Sequence, residues 1–311
     1  MCFLKTIGTV VATYNGQKYL REQIDSILSQ SIRPHKIIVI DDHSTDDTTS
    51  ILADYKESYP DIVVFEENEE NRGYIRTFER GITICHTEYI AISDQDDIWE
   101  VEKIEKCYRL LEQNRDAKLC FHDLILIDER GNPLGKTYWE SALMPLPASG
   151  SLARERLAHL VNGVPGCTMF FSADLKEHLL PMPNSRWSGH DWLIAVMGFF
   201  LSDPIVVREP LARYRIHPDQ TCALAIDMKR KKRPRKLKEL PFRIKREAKR
   251  IVFKRRLQRT KLEEARERDR ALSEDVLRAI ATYEALGLSH IPPQEIRQLK
   301  ALVQATIQEM D

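Results

Sequence analysis

The chain has no excess of either charge: 47 basic and 47 acidic residues cancel over 311 positions. Its overall balance therefore marks neither a nucleic-acid binder nor an acidic solvating protein. It also has no close pair of cysteines. Cys2, Cys85, Cys107, Cys120, Cys167 and Cys222 are scattered, which excludes a CxxC metal knuckle and gives no disulfide framework. Several lie in apolar runs, as buried thiols do, and a reducing cytoplasm is the expected setting. No run approaches a membrane span; the best, Leu193–Leu201, belongs in a core. The start, Met1-Cys2-Phe3-Leu4-Lys5, lacks the charged and apolar regions of a signal peptide. Two nucleotide signatures are missing as well. There is no GxGxxG after the first strand and no GxxxxGK[ST], which argues against dinucleotide oxidoreductases and P-loop NTPases.

What is present is alternation. The chain is 42% hydrophobic and 30% charged, enough for a sizeable core. Apolar runs at 6–12, 36–40, 62–65 and 89–92 read as buried strands. Between them, Gln17–Gln30, a segment capped by Ser44 or Asp46 and reaching Tyr55, and Tyr74–Cys85 read as helices. This order predicts an α/β fold with a mainly parallel sheet covered by helices. The loops at 13–16, 41–46, 71–73 and 93–97 then gather at one sheet edge, where open α/β sheets bind ligands.

The last of these loops is Ser93-Asp94-Gln95-Asp96-Asp97-Ile98-Trp99. Three carboxylates in four positions raise one another's pKa unless a cation neutralises them. Oxygen ligands suit Mg²⁺ or Mn²⁺. The alternative is an acidic loop in which Asp97 caps a helix over Glu100–Gln113; the cluster alone favours neither.

The second half opens with a strand, Leu119–Ile127, that carries His122 and Asp123, which read as structural or acceptor-side. Residues 131–150 read as a Gly/Pro-rich loop and Leu152–Leu160 as a helix. Asn162–Phe171 leads into a strand, and Asp174–Leu180 is a short helix stopped by Pro181 and Pro183. Ser188-Gly189-His190-Asp191-Trp192 opens the apolar helix Leu193–Leu201, where Asp191 is a candidate N-cap. A strand at Ile205–Tyr214 precedes Arg215-Ile216-His217-Pro218.

Read in order, Ala12-Thr13-Tyr14-Asn15, Ile40-Asp41-Asp42-His43-Ser44-Thr45-Asp46, Asn71-Arg72-Gly73, Ser93–Trp99, His190-Asp191-Trp192 and Tyr214-Arg215-Ile216-His217 resemble the family 2 nucleotide-sugar glycosyltransferases. The resemblance covers about residues 6–220. It implies the GT-A (Rossmann-like) fold and sugar transfer with inversion. The wording around Asp94–Trp99, Gly166-Cys167-Thr168 and His190–Trp192 is similar to rhamnosyltransferase-like members. By this resemblance Ala12, Thr13, Tyr14, Asn15, Asp41, Asp42, Arg72, Arg76, Asp94 and Gln95 surround the nucleotide sugar, with Asp41 bracing its loop. Asp94, Asp96 and His217 hold a divalent metal, Mn²⁺ or Mg²⁺, with Asp97 a further candidate. Asp191 is the general base. Gly166, Cys167, Thr168, His190 and Trp192 lie on the acceptor side. One carboxylate suffices for a single displacement, whereas double displacement needs a second as nucleophile.

The C-terminal part differs in composition. Between Lys229 and Arg270 there are 21 basic and 6 acidic residues, a net of +15 that leaves −15 on the remainder. Residues 229–259 include a basic amphipathic helix after Pro241, the pattern of an element lying on an anionic membrane surface. A solvated charged helix is the plain alternative. No aromatic interleaving accompanies the charge, so nucleic acid is not the expected partner. Helices are expected over 260–286 and 294–309, packed on the body or on another subunit of an oligomer.

The expected organisation is a GT-A domain over 1–225, with a nucleotide-sugar half at 1–99 and an acceptor half at 118–225, then a basic helical extension at 226–311. The expected activity is transfer of a sugar, such as rhamnose from a dTDP donor, to a saccharide or lipid-linked acceptor at the inner face of the cell membrane, in cell-surface polysaccharide synthesis. The rivals are a UDP-hexose or UDP-N-acetylhexosamine transferase, and a non-catalytic nucleotide or nucleic-acid binder on the same sheet. Asp94, Asp96 and Asp191 argue for the enzyme, since a binder needs no base.

Overall fold

The computed structural model describes residues 4–141, 164–182 and 189–220, with eight single helical positions between 274 and 304. The expected helix at Leu152–Leu160 and the basic segment 229–259 lie outside the described residues, as does most of 260–311.

The first half alternates as the apolar periodicity requires: β1 (Ile7–Thr13), α1 (Leu20–Leu28), β2 (Lys36–Asp41), α2 (Thr48–Ser58), β3 (Val63–Glu67), α3 (Tyr74–Ile84) and β4 (Tyr89–Ser93). These strands pair in parallel in the order β3-β2-β1-β4. The C-terminal ends of β1, β2, β3 and β4 therefore share one edge.

The sheet then changes character. After β5 (Ile98–Trp99) and α4 (Lys103–Gln113) come β6 (Leu119–Ile127), β7 (Pro133–Thr137), α5 (Tyr138–Ser141), β8 (Phe170–Ser172), α6 (Lys176–Leu179), α7 (His190–Leu201) and β9 (Ile205–Arg215). β8 pairs antiparallel with β4 and β6, and β9 runs parallel to β6 and antiparallel to β5, completing the order β3-β2-β1-β4-β8-β6-β9-β5 with β7 on β6. The whole is a mixed sheet with flanking helices.

Two expectations are corrected. Asp97 does not cap a helix: β5 follows it, and α4 begins only at Lys103. The 131–150 loop contains β7 and α5. Gly131 and Gly135 sit at φ 84° and 71°, left-handed conformations that turn and kink the β6–β7 hairpin. The residues that made the segment look like loop thus shape a hairpin.

Alternate residues of each strand feed opposite faces. Val10, Ile38, Ile40, Ile90 and Ile92 join Phe78 and Ile82 of α3 and most of α7 in one core. Val11, Ile37 and Val39 join α1, α2 and α4 in the other. Leu277 is half-buried against the first core. Gly81 brings α3 close to the sheet, since a Cβ there would run into Val10 Cγ1. Gly81→Val is expected to lower stability by about 1–3 kcal/mol through overpacking, read as a lower urea midpoint at unchanged slope.

Candidate active site

The edge loops are tied together before any ligand arrives. Asp41, fully buried, accepts hydrogen bonds from Thr13 Oγ1 (2.8 Å), Ser44 N (2.8 Å) and Ser44 Oγ (2.6 Å). Asn15, at φ 49°, accepts from Thr45 N and donates its own N–H to Ser44 Oγ, both at 2.8 Å. Gln95 clasps the backbone of Tyr14: its Oε1 accepts from Tyr14 N (2.8 Å) and its Nε2 donates to Tyr14 O (3.0 Å). The Tyr14 ring is left 46% exposed, and Ala12 is half-buried beneath it in β1.

Asp42 and Arg76, read from the sequence as facing the ligand, are committed elsewhere. The Asp42 carboxylate, 3% exposed, accepts from Asn68 Nδ2, Arg72 N and Gly73 N, each at 2.8 Å. It shapes the entry to α3. Arg76 donates to Glu79 (2.5 Å) and to the Met182 carbonyl (3.0 Å). The buried Asp42 carboxylate needs such partners because water is scarce around it. The exposed side chain of Arg72 remains on the surface.

The acidic loop splits into two directions. Asp96 Oδ2 lies 2.8 Å from His217 Nε2. The carboxylates of Asp94 and Asp97 instead gather with Cys167 Sγ, all within 4.8 Å of one another. Arg215, 1% exposed, underpins the loop. Its Nε donates to the Asp96 carbonyl (2.9 Å), its backbone N–H to Asp97 Oδ1 (3.2 Å), and its far nitrogen pairs with Glu22 (2.5 Å). Its guanidinium also lies 4.5 Å over the Tyr19 ring.

Burial, then the charges of Asp96 and Asp191, push the Asp94 carboxyl above its ordinary range, against an opposing pull from Lys103. Burial, then Asp96 and Asp94, push Asp97 well up. Asp97 Oδ2 is buried without a hydrogen-bond partner. Crowded carboxylates with a spare oxygen are short of positive charge; the carboxylate oxygens of this loop fit a hard divalent ion, whereas the Cys167 thiol is a softer donor.

The opposite wall is tied to this cluster by the tight 3-10 turn Gly166–Thr168. Cys167 faces Asp94 and Asp97, while Gly166 lies against α7: a Cβ on it would stand 2.6 Å from His190 Nε2 and 3.5 Å from Asp191 Cβ. Only glycine permits that approach. Asp191 sits in the first turn of α7 with Gly189 as the N-cap, so it is not the cap that its sequence position suggested. Its charge reaches both Asp94 and Tyr138. The candidate base and the carboxylate cluster thus lie against adjacent residues of one turn, Gly166 and Cys167, as the two walls of a candidate cleft.

His190 is buried, stacked on Phe78 (3.9 Å between centroids) and edge-on to Tyr74 (5.8 Å). Trp192, read as acceptor-side, belongs instead to the first hydrophobic core; its helical position turns the indole toward the sheet. His122 bonds the Asp123 carbonyl through Nδ1 (2.7 Å), and Asp123 accepts from Leu124 N (2.8 Å) and Trp139 N (3.0 Å). Both are structural. Lys18, Asp128, Glu129, Arg130, Asn132 and Ile216, the residue before His217, line a cavity of about 580 Å³.

The family described as "Glycosyl transferase family 2" matches residues 9–179. The chain belongs to glycosyltransferase family 2. An uncharacterized glycosyltransferase of Methanocaldococcus jannaschii is 37% identical over 130 residues, 41% of this chain and 44% of that one. A Bacillus subtilis glycosyltransferase provisionally assigned to teichuronic acid biosynthesis, TuaG, is 28% identical over 213 residues, covering 68% of this chain and 79% of its own. Among solved structures, S. aureus TarS in complex with UDP-GlcNAc superposes with a TM-score of 0.54 at 17% identity, over 69% of this chain and 60% of that one. TarS has also been solved with UDP. The matched region spans less than two thirds of the archaeal relative and of TarS. The shared fold is that of the GT-A glycosyltransferases.

Two residues of this family 2 glycosyltransferase escaped the sequence reading. Lys103 occupies the apolar stripe Lys103-Ile104-Cys107-Tyr108-Leu111 of α4 and is 1% exposed; a lysine at a core position was the available signal. Tyr138 opens α5 inside the supposed loop. Its phenol is pushed up to about 12 by burial, then by Asp191, Cys167 and Asp123.

Burial alone holds the His190 imidazole down to about 3, and neither ring nitrogen has a hydrogen-bond partner. The folded state therefore keeps it neutral while the unfolded chain takes up a proton near pH 6.5. Its contribution to stability is full above that pH and is lost as pH falls, at up to about 1.4 kcal/mol per pH unit. His190→Phe is expected to flatten the loss of urea stability between about pH 6 and 4 relative to wild type.

Proposed function

We propose that this protein is a divalent-metal-dependent, inverting glycosyltransferase that moves a sugar from a nucleoside-diphosphate donor to a saccharide or lipid-linked acceptor in cell-surface polysaccharide synthesis. The observation that carries this reading is the Gly166–Thr168 turn, which sets Cys167 within 4.8 Å of the Asp94 and Asp97 carboxylates on one side and packs Gly166 against His190–Asp191 on the other.

The roles follow from that arrangement. Tyr14, Asn15 and the clasp made by Gln95 form the floor for base and ribose, with Asp41 and Asp42 bracing it. Arg72 is free to meet phosphate. Asp94, Asp96 and His217 hold the divalent ion, which when bound draws charge from the departing diphosphate. Asp191 accepts the proton of the acceptor hydroxyl as it attacks the anomeric carbon. A single carboxylate opposite the donor supports one displacement and hence inversion. Gly166, His190 and Tyr138 line the acceptor side, and the flanking cavity has room for further sugar units. Residues 1–225 form the catalytic unit, and 226–311 the basic extension that brings it to an anionic membrane surface. No helix among the described residues is long and apolar enough to cross a membrane.

Two donors fit. The motifs at Gly166–Thr168 and His190–Trp192 favour dTDP-rhamnose. The UDP and UDP-GlcNAc complexes of TarS favour a UDP-sugar. Thermal stabilisation by UDP, dTDP and GDP, each with and without Mn²⁺, separates them. One diphosphate is expected to stabilise the protein only with metal, and equal metal-free shifts by all three would remove the reading. Asp191→Asn is expected to leave donor binding intact while transfer falls by roughly 10²–10⁴-fold, measured as sugar release from the labelled donor in the presence of acceptor.

A further inference from the structure

We propose that Lys103 is a positioning residue: its buried ammonium is a resident cation that holds the Gly166–Thr168 turn over the carboxylates and keeps a divalent ion out of the pocket between Asp97 and Cys167. The proposal rests on the metal-assisted reading above, but its test does not depend on turnover.

Lys103 is among the largest fully buried side chains described. A lysine so deep persists only where neighbours offset its dehydration. Its Nζ donates to the Cys167 carbonyl at 2.6 Å and stands 3.5 Å over the Trp99 ring. The first contact grips the middle of the turn that joins the two walls of the cleft. The second is a desolvated cation–π contact. The acidic groups within its field are Asp94 and Asp97, and the thiols are Cys167 and Cys107. No ion pair within 4.0 Å joins it to either carboxylate among the described residues. Burial pulls the ammonium down to about 8 against the opposing pull of these groups, so below that pH it acts as a nearby charge rather than as a bonded partner.

The cluster is thereby divided. On its inner side two carboxylates and a thiol converge, a donor set that would also take a soft divalent metal. A second cation there would face the ammonium across a dry interior, where like charges repel strongly. On the outer side Asp96 turns to His217, away from the lysine. A divalent ion is thus directed to the face where the diphosphate arrives, and the thiol stays out of its coordination shell.

The test uses full-length protein with Cd²⁺ as the probe, because a cadmium–thiolate bond has its own ultraviolet charge-transfer absorption. Wild type and Lys103→Arg are expected to show no Cys167-dependent part of this band, read as the difference from the same protein carrying Cys167→Ser. Lys103→Met is expected to gain it, and the double variant Lys103→Met/Cys167→Ser to lose it again. In Lys103→Met, kcat with Mn²⁺ is expected to fall roughly tenfold to a hundredfold, as for loss of a hydrogen bond to a charged group, with nucleotide affinity unchanged. A Cys167-dependent cadmium band in wild type would overturn the proposal, and that measurement stands even if Lys103→Met does not fold. A folded Lys103→Met with no band would also overturn it. If wild type binds no nucleotide in a metal-dependent manner, the transferase reading fails, while the cadmium result still decides the role of Lys103.

Discussion

Negative charge gathered at the dehydrated end of a sheet is the constraint on which the rest of the molecule depends. Asp94, Asp96 and Asp97 follow β4 within four positions, and burial together with their neighbours' charges pushes the Asp94 and Asp97 carboxyls up. The surrounding structure reads as a set of responses. Arg215 spans the underside of the loop with backbone and side-chain hydrogen bonds. Lys103 stands within the core of the same region. His217 turns a ring nitrogen to Asp96. Each gives the acidic loop a polar or charged neighbour.

These responses come from distant parts of the chain, which ties the parallel and mixed portions of the sheet into one unit. β9 ends in Arg215 and pairs with both β5 and β6, so the strand that supplies the arginine also fixes the peptide just after the carboxylates. β8 lies between β4 and β6, and the turn before it sets Cys167 against the acidic loop. The two sides of the cleft are therefore joined through the sheet itself.

Much of this was legible in the sequence. Continuous apolar runs gave four parallel strands, and parallel pairing gathers their trailing loops at one edge. Six short motifs in order gave the family. The failures have physical causes. β5 is two residues long and pairs only through β9, so no local periodicity marks it. β7 is nearly all exposed and carries the glycines that suggest a loop. Asp42 and Arg76 are residue types that bind ligands, yet here they satisfy backbone groups of neighbouring loops; sequence gives a residue's chemistry but not which partner is nearest. Trp192 follows the candidate base in sequence but, on a helix, the next residue points about 100° away, into the core.

The mutual bonding of the loops at Thr13–Asn15, Asp41–Thr45 and Gln95 has a consequence for how a donor is received. Those segments give up their freedom once, when the chain folds, so a nucleotide meets a surface already in shape. Little ordering is then charged to each encounter, and affinity need not be sacrificed to assemble the floor of the pocket. In the proposed reading, rearrangement during turnover is left to the opposite wall, so that selectivity among acceptors could change without rebuilding the nucleotide's seat.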